Sequence, residues 1–268
     1  MMQSIQAETE SALLIRTMLP NSPRGSVPNS RHSGPCRSGV ALLAALAAGD
    51  LSFDLTRSQA ADLDRAVPPP ALDQSAGASG HETLILAGGC FWGIQGVFQH
   101  VRGVEQAVSG YDGGGASTAQ YETVSTGTTG HAESVRITYD PHVISYGQLL
   151  RIYFSVATDP TQLNQQYPDS GPQYRGEIFA TTPDQDKIAR AYIAQLDEAK
   201  IWSQPIATIV GRDTGFYVAE GYHQNYLTLH PDSGYIATFD LPKVSALQKT
   251  FPAEFLAQPV LVPGVKDQ

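Results

Sequence analysis

The stretch "ETLILAGGCFWGIQGVFQHVRG", Glu82 to Gly103, decides how this chain folds. Its opening run, Glu82 to Gly88, is apolar and of strand length, and Gly88-Gly89 break it. Beyond Cys90, the residues Ile94, Val97, Phe98 and Val101 fall at i, i+3, i+4 and i+7, the spacing of a helix face, and Gly103 stops it. A strand therefore passes into a helix through two glycines and a cysteine. That places Cys90 in the first helical turn, where unpaired backbone N–H groups and the positive end of the helix dipole collect. Both favour a thiolate, the reactive form of the side chain. The glycines allow a tight turn and keep bulk away from the sulfur. Phe91 and Trp92 add aromatic surface, on which a soft sulfur–methyl group packs well. A lone cysteine is more often a small buried hydrophobe, so this stretch alone leaves both readings open.

Outward from this unit, strands and helices alternate. "VEQAVSGYDGG" (104–114) reads as a strand ending in a glycine turn, and "ESVRITYDP" (133–141) as a strand with period-two alternation. "SYGQLLRIYFSVA" (145–157) predicts a helix opened by a capping box of Ser145 and Gln148. "YRGEIFAT" (174–181) is a further strand. "TPDQDKIARAYIAQLDEAKIW" (182–202) is a helix with Thr182 at its N-cap, Pro183 at its first position and Gln185 completing the box. "PIATIV" (205–210) and "GYIATFD" (234–240) read as strands, and "KVSALQKTF" (243–251) as a last helix. The class this predicts is α+β: a two-layer sandwich, a mixed β-sheet with packed helices, over residues 81–262, followed by a tail, 263–268. A domain of about 180 residues buries a substantial core without disulfides or metal.

Residues 1–80 differ in composition. "PNSPRGSVPNSRHSGPCRSG" (20–39) and "VPPPALDQSAGASG" (67–80) read as disordered leader and flexible linker. Between them "GVALLAALAAG" (39–49) is too short for a membrane-spanning helix but has the length of a signal-peptide core, and "SQA" (58–60) resembles a cleavage site. Export to the periplasm follows if the signal operates. Asp50, Asp54 and the late position of the run weaken that reading, and a disordered or mis-started N-terminus on a cytoplasmic chain stands equally beside it.

The chain carries 26 acidic and 17 basic residues, a net charge of −9. This excludes a nucleic-acid binder and an anionic-membrane docking module, both of which need basic surface. With two cysteines, Cys36 and Cys90, no disulfide-dense scaffold forms. The segment "AGGCFWG" lacks the lysine of a phosphate-binding loop and the spaced glycines of a dinucleotide site.

Three other segments carry candidate chemistry. "QYETVSTGTTGHAESV" (120–135) holds Tyr121, His131 and Glu133 around a glycine turn. Glu133 has no local lysine, and a carboxyl beside apolar surface becomes a general acid; a solvated strand-end glutamate is the plainer reading. "DPTQLNQQYPDSGPQYRGEI" (159–178) is a long polar loop with Asp169 and Tyr174, and loops of that length in compact domains tend to be functional. "AEGYHQNYL" (219–227) offers His223, either as a base for Cys90 or as a hydrogen-bonded core residue. A cysteine hydrolase or acyltransferase using Cys90 with His131 or His223 is thus an alternative to any redox role.

Taken together, GCFWG (89–93), GYDGG (110–114), YETVSTGTTGHAE (121–133), DPTQLN…PDSGPQYR (159–175) and YHQNYL (222–227) resemble the peptide methionine sulfoxide reductase A family, over about 82–250. The resemblance implies that Cys90 attacks the sulfoxide sulfur and that Glu133 protonates or hydrogen-bonds its oxygen. It assigns Tyr121 and Tyr174 as further donors to that oxygen. Phe91 and Trp92 would hold the methyl group and so select the S epimer, and Asp169 would polarise the site. Cys90 would be left as a sulfenic acid, which condenses with a thiol. The substrates implied are oxidised proteins or free methionine sulfoxide, with no metal or organic cofactor. Family members often carry recycling cysteines near the C-terminus, and this chain has no cysteine after Cys90. It is therefore similar to the single-cysteine branch, which implies an external thiol reductant: thioredoxin, glutaredoxin or glutathione. Gln165 and Tyr167 stand where arginine and glycine are expected, and Asn225 where aspartate is usual. Tyr167 would narrow the substrate mouth.

Overall fold

The computed structural model describes residues 65–74 and 80–265. Cys36, the apolar run at 39–49 and the cleavage-like site at 58–60 lie outside them. The strand, turn and helix at the centre form as the glycines dictate: β1 (Glu82–Ala87), then α1 (Phe91–Gln99) with Cys90 at its N-cap. They are followed by β2 (Val104–Asp112), α2 (Tyr121–Val124), β3 (Ala132–Tyr139) and α3 (Tyr146–Ile152). A small hairpin, β4 (Gln165–Gln166) and β5 (Asp169–Ser170), precedes β6 (Glu177–Ala180) and α4 (Pro183–Glu198). The chain closes with β7 (Ile209–Arg212), β8 (Tyr217–Val218), α5 (Tyr226–Leu229) and α6 (Leu241–Thr250).

Six strands make one mixed sheet in the order β7-β6-β1-β3-β2-β8. The neighbours are antiparallel except β6 and β7, which run parallel with α4 as their crossover. Alternation along the strands sends Leu84, Leu86, Val135, Ile137, Tyr139, Ala107 and Tyr111 to one face, where α1, α3, α4 and α6 bury their apolar stripes. The other face is a small cluster of Ile85, Ala87, Ala132 and Phe179 covered by Phe216, over which the Arg136 guanidinium sits at 4.7 Å. The result is the two-layer α+β sandwich that the alternation predicts.

Several elements depart from the sequence reading. α1 is buried on all sides, not along one stripe, because α5 and its flanks close over Gln95, Gly96 and Gln99. The Ser145–Gln148 capping box is present. At α4 only half of the box forms: Thr182 accepts from the Gln185 amide, while the Gln185 side chain reaches back to Thr181 and to the Thr83 carbonyl. The helix expected over 145–157 ends at Ile152 and continues as a wider π-type turn, Tyr153–Ala157. The strand expected at 205–210 begins only at Ile209, because Ala207 and Thr208 donate to the Pro160 carbonyl and leave the sheet. Residues 234–240 are not a strand. They form a π-type turn, Ile236–Asp240, that leads into α6 and buries Ile236 and Asp240, four residues apart.

The linker expected over 67–80 is, for 67–74, a strap bound to α3 and α4. Val67 is buried; its N–H donates to Ser155 Oγ (3.1 Å) and its carbonyl accepts from Arg151 Nε (2.8 Å). Tyr192 Oη donates to the Pro68 carbonyl, and the Gln195 side chain bonds both Pro69 and Ala71. Asp73 accepts from Ser145 Oγ and from the Gly147 amide at the start of α3. Three prolines pre-extend the backbone and leave few N–H groups to satisfy, so little entropy is lost on docking. Burying Val67 contributes about 1.5–2 kcal/mol, and each net hydrogen bond about 0.5–1.5. A domain cut to begin at Gly80 is therefore expected to melt about 5–10 °C below one that begins at Arg65, measured by differential scanning calorimetry. Equal melting temperatures would make the strap a passive segment.

Candidate active site

Gly89 has φ of +97°, and a Cβ there would lie 2.6 Å from the Gln166 side chain, so both conformation and space require glycine. This turn aims Cys90 into the space between α1, the head of β3 and the 159–175 loop. Glu133, on β3, is 3% exposed, and its Oε2 accepts from the Phe91 amide at 3.1 Å. An acid is thereby fixed on one of the free N–H groups of the helix, beside a cysteine that is 9% exposed.

The resting thiol is not the thiolate that the helix terminus suggests. Burial pushes the Cys90 pKa well up; Glu133 and Asp240 raise it further, and Asp169 adds to them, against a single favourable hydrogen bond from the Trp92 amide. Three nearby carboxyls and low dielectric outweigh one amide and the end of a nine-residue helix. Burial likewise lifts Glu133 to about 8, opposed by the Phe91 N–H and assisted by Asp169 and Asp240. At neutral pH both groups hold their protons.

The donors around them are positioned from separate elements. Tyr121 opens α2, and its amide donates to Glu220 Oε1 (3.0 Å), whose Oε2 accepts from Tyr111 Oη (2.8 Å). Tyr174 lies on a 3-10 turn, Pro172–Tyr174, and feels the charges of Glu133, Asp169 and Cys90. Burial raises the phenol pKa of both tyrosines, so each keeps a proton to donate. Asp169, also raised by burial, accepts from Tyr235 Oη. Trp92 is half-buried, stacked on Tyr226 at 3.8 Å and edge-on to Tyr235 at 6.0 Å. Phe91 is 1% exposed and packs behind it against Tyr111 and His223, so Trp92 is the ring open to a ligand.

The structure brings Cys90, Glu133, Tyr121, Tyr174 and Asp169 within electrostatic reach of one another, with Trp92 next to Cys90 on the first turn of α1. The sequence did not single out Glu220, Tyr226, Tyr235 or Asp240. Glu220 and Tyr226 flank the YHQN motif. Tyr235 and Asp240 were concealed by the strand reading of 234–240, although Tyr235 and Phe239, and likewise Ile236 and Asp240, stand at i, i+4 spacing.

Neither histidine hydrogen-bonds Cys90. His223 accepts from Trp92 Nε1 through Nδ1 (3.2 Å), and burial lowers its pKa to about 4, so it is a neutral support for the indole. His131 bonds the Gly115 carbonyl through Nε2. A cysteine–histidine hydrolase has no geometric basis here. Among the described residues, no group of three or more His, Cys, Asp or Glu could hold a metal ion.

The raised Glu133 pKa carries a stability cost of definite sign. Below pH about 4.5 the carboxyl is protonated in both folded and unfolded chains; as pH rises to about 8, the unfolded chain ionises first and folding loses about 3–5 kcal/mol. Glu133→Gln is expected to match the wild type in thermal melts near pH 4.5 and to exceed it by roughly 10 °C at pH 8. A gap independent of pH would refute the raised pKa.

Residues 82–254 match the family model described as peptide methionine sulfoxide reductase. A Mesorhizobium japonicum protein named peptide methionine sulfoxide reductase MsrA 2 is 60% identical over 191 residues, which are 71% of this chain and 97% of that protein. A Synechocystis protein of the same name is 47% identical over 72% of this chain and 92% of its own length. Among solved structures, reduced Mxr1 from Saccharomyces cerevisiae is 31% identical and superposes with a TM-score of 0.53, over 59% of this chain and 90% of that one. A protonated carboxyl and a buried thiol at one helix terminus, in a chain matched over most of its folded length, lead to one assignment: the chain belongs to the peptide methionine sulfoxide reductase family, in its A class.

Proposed function

We propose that this chain reduces the S epimer of methionine sulfoxide, in oxidised proteins or free, with electrons from an external thiol. The observation that carries the reading is the pairing of a protonated Glu133 with Cys90 at the N-terminus of α1. A sulfoxide entering beside Trp92 would meet the Glu133 proton and the Tyr121 and Tyr174 hydroxyls at its oxygen. These donors draw charge from sulfur and make it electrophilic. Cys90 Sγ attacks that sulfur. Its thiol proton passes to Glu133 as the Glu133 proton passes to the oxygen, so the carboxyl ends as it began. In the resulting adduct the hydroxyl passes from the methionine sulfur to Sγ as the Sγ–sulfur and S–O bonds break, methionine leaves as the thioether, and Cys90 is left as a sulfenic acid. Trp92 on one side and the donors on the other would fix the methyl and the oxygen, which leaves one epimer in register for attack.

The recycling half also follows from this chain's own residues. Cys90 is a free thiol, and no cysteine follows it in the sequence. In this reading a thiol of another molecule condenses with the sulfenic acid and releases water. A second thiol then frees Cys90 as a disulfide of the reductant forms. Thioredoxin, glutaredoxin and glutathione all supply that chemistry, and no metal or organic group enters either half.

With dithiothreitol and racemic N-acetyl-methionine sulfoxide, only the S epimer is expected to disappear by chiral chromatography. Cys90→Ala should be inactive, Cys36→Ala unchanged, and Glu133→Gln slower by about 10²–10⁴-fold. The rate should fall as pH rises through about 8, where Glu133 loses its proton. Consumption of both epimers, or turnover by Cys90→Ala, would sink the reading.

A further inference from the structure

A row of aromatic rings leaves the site at Trp92 and ends at the surface. Tyr235 stands edge-on to Trp92 at 6.0 Å, Phe239 lies 5.2 Å from Tyr235, and Tyr167 meets Phe239 edge-on at 5.8 Å. Exposure grows along it: Tyr235 and Phe239 are half-buried, and Tyr167 is 62% exposed. Tyr235 and Phe239 share one side of the turn before α6 because they are four residues apart. Tyr167 is held at the tip of the β4–β5 hairpin by its neighbours. Gln166 packs over Gly89 and bonds both the amide and the carbonyl of Asp159, and the Tyr167 amide donates to Gln162. The hairpin is thus clamped to the glycine turn beside Cys90, and the ring projects outward at a fixed place.

We propose that Phe239 and Tyr167 form a subsite for an apolar or aromatic side chain flanking the methionine sulfoxide of a polypeptide substrate. The inference rests on the reductase reading above and adds a substrate preference to it. An extended peptide advances about 3.3 Å per residue. With its sulfoxide at Cys90, residues two or more positions away would therefore reach Phe239, 5.2 Å beyond Tyr235, and then Tyr167, 5.8 Å beyond Phe239. Aromatic pairs favour the edge-to-face and offset geometries that half-exposed rings leave available. A free amino acid or a one-residue analogue is too short to touch either ring.

The test uses the full chain, dithiothreitol and blocked five-residue peptides with methionine sulfoxide at the centre. One phenylalanine is scanned through the four flanking glycine positions. In the wild type, at least one position is expected to raise kcat/KM about three- to tenfold over the all-glycine peptide, mainly through KM. Tyr167→Gly should abolish the gain, Tyr167→Phe should keep it, and all three proteins should turn over N-acetyl-methionine sulfoxide amide at similar rates. Amide turnover with no positional gain in the wild type, or a gain that survives in both Tyr167→Gly and Phe239→Ala, overturns the subsite alone. No turnover of the amide by the wild type overturns the reductase reading, and the subsite with it.

Discussion

The hydrogen bond from the Phe91 amide to Glu133 is the contact on which the site depends. It joins the first turn of the central helix to the head of the central strand pair, and it does so with an acid. A buried carboxyl without such a donor would carry an unmet acceptor in low dielectric. Here the helix terminus supplies the donor, and the carboxyl occupies a position that α1 leaves open at its N-terminus. The same bond fixes the distance between the acid and Cys90, because Phe91 is the next residue in the chain. The position of the proton relative to the sulfur is thus set by backbone and not by two free side chains.

Around this contact the electrostatics run against ionisation. Asp169 and Asp240 both raise the Cys90 and Glu133 pKa values. Lys243 pairs with Asp240 at 3.1 Å and offsets part of that field. Asp240 also presses on the helix: a Cβ at Gly93 would lie 2.2 Å from its Oδ1. Gly93 in the FWG motif thus makes room for a carboxyl that keeps the thiol protonated. A protonated thiol in a closed site is a poor target for alkylation and adventitious oxidation, since the thiolate is the reactive form.

The surrounding frame is held by buried amides more than by charge. Gln224 accepts from Gln95 and from the Ser109 amide and donates to the Ser109 and Ala219 carbonyls. Asn225, in a left-handed conformation at φ +59°, accepts from Gln99 and exchanges two bonds with the backbone of Val262. An aspartate at this position could accept these bonds but could not donate to the Val262 carbonyl, which gives the asparagine of this chain a physical role. This network closes the 219–227 segment over α1, seats His223 beneath the Trp92 indole, and brings Glu220 to the Tyr121 amide. Buried side-chain amide networks of this kind rigidify what they join.

The sequence by itself determined what local rules can encode. The glycine pair that turns β1 into α1, the helical spacing of Ile94, Val97 and Phe98, the alternation of β3 and the cap of α3 all follow from steric and periodic constraints acting over a few residues. The motifs around Cys90, Glu133, Tyr121, Asp169 and Tyr174 were legible for the same reason, since each lies in a short stretch of distinctive composition. Tertiary structure decided the rest. The helical turn at 236–240 buries Ile236 and packs Asp240 on Gly93 of α1, and propensity alone favours a strand for its β-branched and aromatic residues. The proline strap at 67–74 looks like a linker until Ser155, Arg151 and Tyr192 supply its partners from far along the chain. The protonation of Cys90 is the clearest case. A helix N-terminus read in isolation favours a thiolate; desolvation and three carboxyls from β3, β5 and the turn before α6 reverse it, because electrostatic energies depend on distances that only the fold fixes.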